Sequence, residues 1–237
     1  QVATNWDRQT ARNLAQANLE SATAADKGDV FILAPNDNTA RAIADVFAAD
    51  PAVKSYLITG QDAEEASAQY ILDGKQSMTV FKDVRTLVQA AVDASVALLK
   101  GQTPAASGTV NNGARDVPTV ESPVVSVDKT NAEAMLIASG YYTARDAASA
   151  SPAPAPAGNL AVGVVLPTQD EPRWIQDQAR FQDAFKAAGY NAEILFSQGD
   201  AVREKANVEA LVAKGIKVLI ICPQGGGEVM LEVKNWN

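Results

Sequence analysis

Histidine is absent from the 237-residue sequence, and its absence excludes several kinds of catalytic and metal site. Without imidazole the chain cannot build Ser-His-Asp or Cys-His catalysis, a histidine metal site, or the usual general base near neutral pH. Cysteine occurs once, as Cys222 in an apolar run, so an intrachain disulfide and a thiolate metal cluster are both excluded. We therefore expect a protein that is not an enzyme and that uses no metal or other cofactor.

Basic charge and long apolar runs are also scarce. The formal net charge is -8, which argues against a nucleic-acid partner because phosphates require a basic surface. No apolar run approaches the ~18 to 20 residues of a membrane span, so we expect no membrane insertion. The glycines at 225–227 lack the strand-loop-helix context of a phosphate-binding motif. A composition of 47% hydrophobic and 20% charged residues is typical of a globular protein.

The sequence repeats one unit, in which a short apolar strand is followed by a polar loop and a helix. Such alternation predicts an α/β fold with parallel strands, because parallel strands need crossover connections, and helices cover the faces of the sheet. A strand-like piece ending at Trp6 opens the chain, before a helix from Arg8 to about Ala25. The further predicted strands span residues 30–34, 56–58, 78–81, 160–166, 192–196 and 216–222, and the further helices 39–49, 63–72, 84–99, 172–188 and 201–214.

Composition also predicts where the domains end. Residues 147–159, AASASPAPAPAGN, have the alternating proline, alanine and serine of a linker. This places an α/β unit at 1–146 and a β-α-β-α-β unit at 160–223. Residues 224–237 form an unassigned tail that could supply one more strand. Within the first unit, the polar segment from Gly101 predicts a crossover or lid, with a late strand at 124–127.

Two charged residues follow predicted strands directly. Asp62 comes after the strand at 56–58, and Lys82 ends the strand at 78–81. Small ligands of open α/β sheets bind beyond the carboxyl ends of parallel strands, so these two side chains are a candidate binding site. The alternative interpretation is that both residues only cap loops.

Several segments carry a resemblance to one protein family: PTQDEPRWIQDQ, AKGIKVLIICPQ, LAPNDNTARAI, ITGQDAE, MTVFKD and TVNNGARDVP. Together they resemble the xylose-type and related aldose-binding proteins of bacterial ABC sugar importers. In that family the piece similar to 160–223 comes first and the piece similar to 1–146 ends the chain. The resemblance therefore indicates a circular permutation joined by the linker, and a chain that lacks the middle of the family's sequence.

This resemblance implies a fold, a function and a cellular location. The fold is that of type I periplasmic binding proteins, with Rossmann-like parallel sheets and helices on both faces, here permuted and truncated. The two lobes could be separate or could share one hybrid sheet. The implied function is non-catalytic capture of an aldose such as xylose or glucose for an ABC permease, by hydrogen bonds and tryptophan stacking. The implied location is periplasmic or extracytoplasmic, without the signal segment in this sequence.

The resemblance also implies the sugar-contacting residues. In the carboxyl-lobe-like unit they are Trp6, Asn36, Asp62 and Lys82; in the amino-lobe-like unit they are Arg173 and, as a weaker candidate, Trp174. These types fit a pyranose, whose hydroxyls need mixed donors and acceptors and whose apolar ring face suits an indole. The alternatives are loop capping for Asn36 and Asp62, a surface ion pair for Arg173 and core packing for Trp174.

A second function is open from the sequence. The chain could be an engineered permuted or split fragment, serving as a scaffold or self-assembling half with impaired sugar binding. A lobe without one strand exposes a sheet edge that recruits another strand. The candidates are residues 160–166, residues 228–234, or a strand exchanged with a second copy or another complementing chain through the linker.

Overall fold

The computed structural model describes residues 2–142 and 160–224, which divide into two compact units. Unit 1 contains residues 2–83 and 123–142, and unit 2 contains residues 84–122 and 160–224. The elements of unit 1 are α1 (Arg8–Ser21), β1 (Asp29–Ile32), α2 (Asp37–Ala49), β2 (Ser55–Ile58), α3 (Glu65–Leu72), β3 (Met78–Lys82), β6 (Val124–Asp128) and a π-helical turn (Glu133–Ala138). Those of unit 2 are α4 (Val84–Leu99), β4 (Gly108–Asn111), β5 (Asp116–Thr119), β7 (Leu160–Leu166), α5 (Pro172–Ala187), β8 (Asn191–Phe196), α6 (Ala201–Ala213) and β9 (Val218–Ile221).

The strands of unit 1 pair in both the parallel and the antiparallel direction. β1 and β2 pair in parallel, with Ile32 opposite Ile58. The chain that continues β2 then pairs in parallel with β3 through Gln61 and Val80. β6 pairs with β3 in the antiparallel direction, which departs from the expectation of purely parallel lobes. A short alternating run specifies a strand but not its direction, and this explains the difference.

The core of unit 1 forms where the apolar stripes of α1 and α2 cover one face of the β1–β2 pair. Leu19 of α1 and Phe47 of α2 pack together with Ile58 of β2. α1 begins where the Asp7 side chain accepts a hydrogen bond from the Thr10 amide at 2.7 Å, which is a normal N-cap. A second apolar cluster lies around the β3–β6 pair and includes Phe81, Val127, Leu136 and Tyr141.

The opposite face of the β1–β2 pair exposes large apolar side chains. Phe31 and Leu57 stand opposite each other and are 76% and 53% exposed. Leu33, which continues the same alternation, is 87% exposed. Side chains of one strand alternate between faces, so these three residues lie on one side of the sheet. No apolar side chain among the described residues buries them.

Unit 2 is built around the central strand β7. β7 pairs in parallel with β8 on one side and with β9 on the other. Val88 and Val92 of α4 pack with Phe181 and Phe185 of α5 against this sheet. β4 and β5 form an antiparallel hairpin within the segment predicted to be a crossover or lid.

The α/β fold class and the parallel sheets are confirmed, and two local predictions are wrong. Residues 2–6 form no strand, because the chain turns there with left-handed backbone at Asn5 and Trp6. β7 cannot complete the sheet of unit 1, since β8 and β9 occupy both of its edges. The domain extents stay a prediction, although residues 84–122 group with unit 2. The predicted linker (147–159) and the strand at 228–234 lie outside the described residues.

Gly163, at the centre of β7, gives a test of the packing in unit 2. A Cβ there would lie 2.8 Å from Ile216 Cδ1 and 2.9 Å from Leu211 Cδ1. We expect Gly163→Ala to lower the free energy of unfolding by about 1 to 3 kcal/mol through overpacking. Gly108→Ala in β4 is the matched control, because its Cβ would meet only Thr119 Oγ1 at 3.7 Å. Equal denaturation midpoints for the two variants would contradict this packing.

Candidate functional site

The carboxyl ends of β1, β2 and β3 lie side by side in unit 1, and a polar loop or side chain follows each. Asn36 comes after β1, Asp62 after the continuation of β2, and Lys82 is the last residue of β3. Thr59 joins the first two loops, since its hydroxyl donates to the Ala34 carbonyl oxygen and accepts from the Ala34 amide at 3.1 Å. The structure therefore brings three of the six predicted site residues to one sheet edge.

Asp62 and Lys82 form an ion pair at this edge. Lys82 Nζ lies 3.2 Å from Asp62 Oδ1, and Asp62 is 8% exposed. The backbone of Asp62 is left-handed, with φ of 94°, and Ala63 follows with φ of 50°. Such conformations cost on the order of 1 to 3 kcal/mol in residues other than glycine, and they concentrate at functional sites. The pair presents a carboxylate acceptor and an ammonium donor within one small area.

Asn36 is buried and caps α2. Its side-chain oxygen accepts from the Thr39 amide at 3.1 Å and from the Thr39 hydroxyl at 2.6 Å. The capping alternative weighed for this residue is therefore realised. Its contact with a sugar stays a prediction.

Trp6 lies in the turn before α1. Its φ is 58° and its side chain is among the exposed large apolar groups, at 53%. An exposed indole offers a flat apolar face, which is the property that stacking on a sugar ring requires.

Arg173 and Trp174 begin α5 in unit 2. Arg173 Nε donates to Asp177 Oδ1 at 3.0 Å, and both side chains are buried. The pair is therefore a buried one, not the surface ion pair weighed as an alternative. The guanidinium carbon lies 4.8 Å from the centre of the Trp174 ring, and Trp174 packs on the apolar cluster of α4 and α5. Core packing is thus realised for Trp174, while a sugar contact for either residue stays a prediction.

The loops that end β7 and β8 in unit 2 are also polar. Gln198 has left-handed backbone, with φ of 54°, and its side-chain oxygen accepts from the Gln169 amide and the Thr168 hydroxyl, both at 3.4 Å. In both units, polar side chains and a residue with left-handed backbone therefore follow the carboxyl ends of parallel strands.

Sequence reasoning missed a buried carboxylate beside the predicted site. Asp37 is 0% exposed. Its Oδ1 accepts from Gln76 Nε2 at 2.8 Å, and its Oδ2 accepts from the Glu64 amide at 2.9 Å. Its own amide donates to the Gln61 carbonyl oxygen at 2.9 Å. These contacts, called the Asp37 cluster below, join the start of α2 to the loop that carries Asp62.

Gly60 belongs to the same arrangement, because no side chain fits at its position. A Cβ there would lie 2.1 Å from Asp37 Oδ1 and 2.3 Å from Gln76 Nε2. Real Cβ atoms essentially never approach other atoms below 3.0 Å. The glycine was visible in the sequence as the end of a strand, but the close approach of Asp37 was not.

A second buried pair lies next to the Asp37 cluster. Arg41 donates to Glu64 Oε2 at 2.6 Å and to the Ser67 hydroxyl at 2.6 Å. Burial raises the pKa of the Glu64 carboxyl, although the Arg41 guanidinium opposes this shift. Burial also raises the pKa of Asp37 to about 7, against the hydrogen bonds that lower it. Both carboxyls are therefore costly to keep charged in the folded protein.

The described residues hold no group of three or more acidic, histidine or cysteine side chains that could bind a metal ion. Among the helices in the described ranges, none is both long and apolar enough to cross a membrane.

Comparison with known proteins shows what the chain is similar to. Residues 1–103 match the model of the periplasmic binding protein domain. The multiple sugar-binding periplasmic receptor ChvE of Rhizobium radiobacter is 37% identical over 145 residues, which cover 59% of this chain and 41% of the receptor. The D-xylose-binding periplasmic protein of Escherichia coli is 34% identical over 125 residues, covering 52% of this chain and 38% of that protein. Residues 1–103 are thus similar to the periplasmic binding protein domain, and the resemblance to sugar-binding periplasmic proteins drawn from the sequence is confirmed.

Two solved structures show the same similarity. A carbohydrate transporter solute-binding protein from Chloroflexus aurantiacus, solved with D-glucose, is 68% identical, with a TM-score of 0.58 over 61% of this chain and 43% of its own. An ABC transporter solute-binding protein from Clostridium phytofermentans, solved with β-D-glucose, is 36% identical, with a TM-score of 0.53 over 59% of this chain and 44% of its own. The chain spans about two fifths of the length of these relatives.

The raised pKa of Asp37 predicts how stability depends on pH. Its ordinary pKa of 3.8 rises to about 7 on folding, so the folded protein holds this proton more tightly than the unfolded chain. The stabilisation is complete below pH ~4 and is lost as pH rises towards 7, with a total on the order of 4 kcal/mol. We expect the free energy of unfolding of Asp37→Asn to fall less than that of the unaltered protein between pH 4 and 7. Glu64 contributes to the pH dependence of stability in both proteins. The free energy of unfolding is measured by urea titration at each pH, and an equal fall in the two proteins between pH 4 and 7 would contradict the prediction.

Proposed function

We propose that this chain is a non-catalytic solute-binding protein that captures an aldose monosaccharide for import by an ABC permease. The observation that carries the proposal is the Asp62–Lys82 pair at the carboxyl edge of the unit 1 sheet. Asn36 lies at the same edge, and the relatives are sugar-binding proteins, two of them solved with glucose. No catalytic step and no cofactor are part of the proposal.

Each proposed contact follows from the chemistry of a sugar. Asp62 accepts hydrogen bonds from hydroxyls, and Lys82 donates them. Asn36 contributes as a donor through its amide nitrogen, because its oxygen already accepts two hydrogen bonds from Thr39. The Trp6 indole stacks on the apolar face of the ring. In unit 2 the proposed sugar contacts are Arg173, which is a donor, and more weakly Trp174, which is an aromatic surface.

The order of the segments supports a circular permutation, with the amino-lobe-like residues 160–223 placed after the carboxyl-lobe-like residues 1–146. We propose that a linker at 147–159 joins the two. The proposed location is periplasmic or otherwise extracytoplasmic, as the names of the relatives indicate for those proteins. Because the chain spans about two fifths of its relatives, further sugar contacts belong to sequence that it does not match.

Calorimetric titration tests the proposed binding. D-xylose and D-glucose should release heat on binding, and D-galactose, L-arabinose and D-ribose are titrated alongside to define specificity. Asp62→Asn should weaken binding about 10- to 100-fold, because a charged acceptor contributes ~1.5 to 3 kcal/mol. The control is Asp73→Asn, an exposed carboxylate that follows α3 and should leave affinity unchanged. Absence of heat with all five sugars would contradict the proposal.

A second candidate function is that of a scaffold or self-assembling half with impaired binding, as in an engineered fragment. The observation that favours it is the exposed apolar face of Phe31, Leu33 and Leu57. Exposed apolar surface of this kind marks interaction sites, and a second copy or a complementing chain could cover it.

Light scattering over a concentration series tests self-association. If a second copy covers the face, the mass should rise above that of one chain with concentration, since apolar burial drives association. The double variant Phe31→Thr with Leu57→Thr should return the mass to one chain. Val110→Thr, which alters a comparably exposed strand residue in unit 2, should not. A mass of one chain at every concentration would contradict self-association.

A further inference from the structure

Asp37 makes hydrogen bonds outside its own helix. It is the first residue of α2, where a carboxylate would ordinarily interact with the free amides of the first turn. That role is already filled, because the preceding residue, Asn36, accepts from the Thr39 amide. The two Asp37 oxygens accept instead from the Glu64 amide and from Gln76, which lies 39 residues along the chain. Its carboxylate therefore serves contacts between loops.

We propose that Asp37 is a positioning residue of the sugar site, which fixes the loop carrying Asn36 relative to the loop carrying Asp62 and thereby sets the affinity for the sugar. The inference rests on the function proposed for this edge. It assigns a role to a residue that does not itself contact the sugar.

The positions of the flanking residues support this role. Asn36 adjoins Asp37 in the chain, and Asp62 lies between Gln61, which accepts from the Asp37 amide, and Glu64, which donates to its carboxylate. Asp62 is therefore held from both sides by one residue. Its left-handed backbone is costly and persists only where the surroundings restrain it. Without these restraints the loop would relax and Asp62 would move relative to Asn36.

The cluster requires an acceptor with two oxygens at position 37. Gln76 Nε2 donates both to Asp37 Oδ1 at 2.8 Å and to the Met78 carbonyl oxygen at 3.0 Å. An asparagine would turn an amide group either towards Gln76 or towards the Glu64 amide, so two donors would face each other. Rotating the Gln76 amide would place its oxygen against the Met78 carbonyl oxygen, so that two acceptors would face each other. Gly60 offers no room for the cluster to rearrange, because the space beside it is filled.

Burial also makes the charged form of the Asp37 carboxyl unfavourable in the folded protein. Its carboxyl is fully buried beside Glu64, and its raised pKa reflects that burial. Buried polar groups that reduce stability are commonly retained where a function depends on them.

Two variants and one control test the proposal. Asp37→Asn removes one acceptor, and Gln76→Met removes the paired donor while keeping a similar volume. Asp45→Asn is the control, because it makes the same chemical change in α2 at a carboxylate that pairs with Tyr70 and Arg8. Amide hydrogen exchange by NMR is measured without sugar, and calorimetry then gives the affinity for the sugar that the unaltered protein binds.

If the proposal is correct, Asp37→Asn accelerates exchange at the amides of residues 61–64 by about tenfold or more and leaves the amides of β1 and β2 protected. Its affinity for the sugar falls about tenfold or more, Gln76→Met acts in the same direction, and Asp45→Asn changes neither quantity. If Asp37→Asn does not fold, Gln76→Met decides the question by the same two measurements.

Three outcomes would overturn it: unchanged exchange at residues 61–64, equal acceleration throughout unit 1, or unchanged affinity despite faster loop exchange. Equal acceleration is the result expected of a residue that only stabilises the fold. The absence of any sugar binding by the unaltered protein would instead contradict the proposed function. Amide exchange is measured without sugar, so it tests the positioning role of Asp37 separately from sugar binding.

Discussion

The parallel pairing of β1, β2 and β3 is the constraint on which the candidate site depends. Parallel strands require a crossover between each pair, so their carboxyl ends, and the loops that follow, meet at the same edge. The register of Ile32 with Ile58, and of Gln61 with Val80, places Asn36, Asp62 and Lys82 there. Backbone pairing of the strands therefore brings together residues that are 26 and 20 positions apart in the sequence.

The same edge concentrates features that do not favour stability. Asp37 and Glu64 are buried carboxyls, and Asp62 and Ala63 have left-handed backbone. Unit 1 also has left-handed backbone at Asn5 and Trp6 and an exposed apolar face on β1 and β2. Its helices α1 and α2 are capped, and the apolar residues between them and the sheet are close-packed. Departures from local rules that gather at one place are expected of a functional site. They support the binding role proposed for this edge.

The elements of the fold were largely predictable, because periodicity and glycine or proline boundaries reflect local physics. Strands β1, β2, β3 and β7 and helices α2, α4 and α5 follow the sequence pattern closely. The β4–β5 hairpin was missed because its short strands lie in a polar segment, and the turn at Trp6 was missed because apolar residues near it suggest a strand. Asp37 was missed for a different reason: its partner Gln76 is distant in sequence, and burial of a carboxylate leaves no periodic signal.

The central claim is that the carboxyl edge of the unit 1 sheet binds an aldose. Titration of ¹⁵N-labelled protein with D-glucose and D-xylose, followed by NMR of the backbone amides and the Trp6 indole, tests it directly. Binding at this edge predicts saturable shifts at Trp6, Asn36, Asp62 and Lys82, with little change at the β4–β5 hairpin. Saturable shifts confined to other residues, or no shifts at high sugar concentration, would contradict the claim.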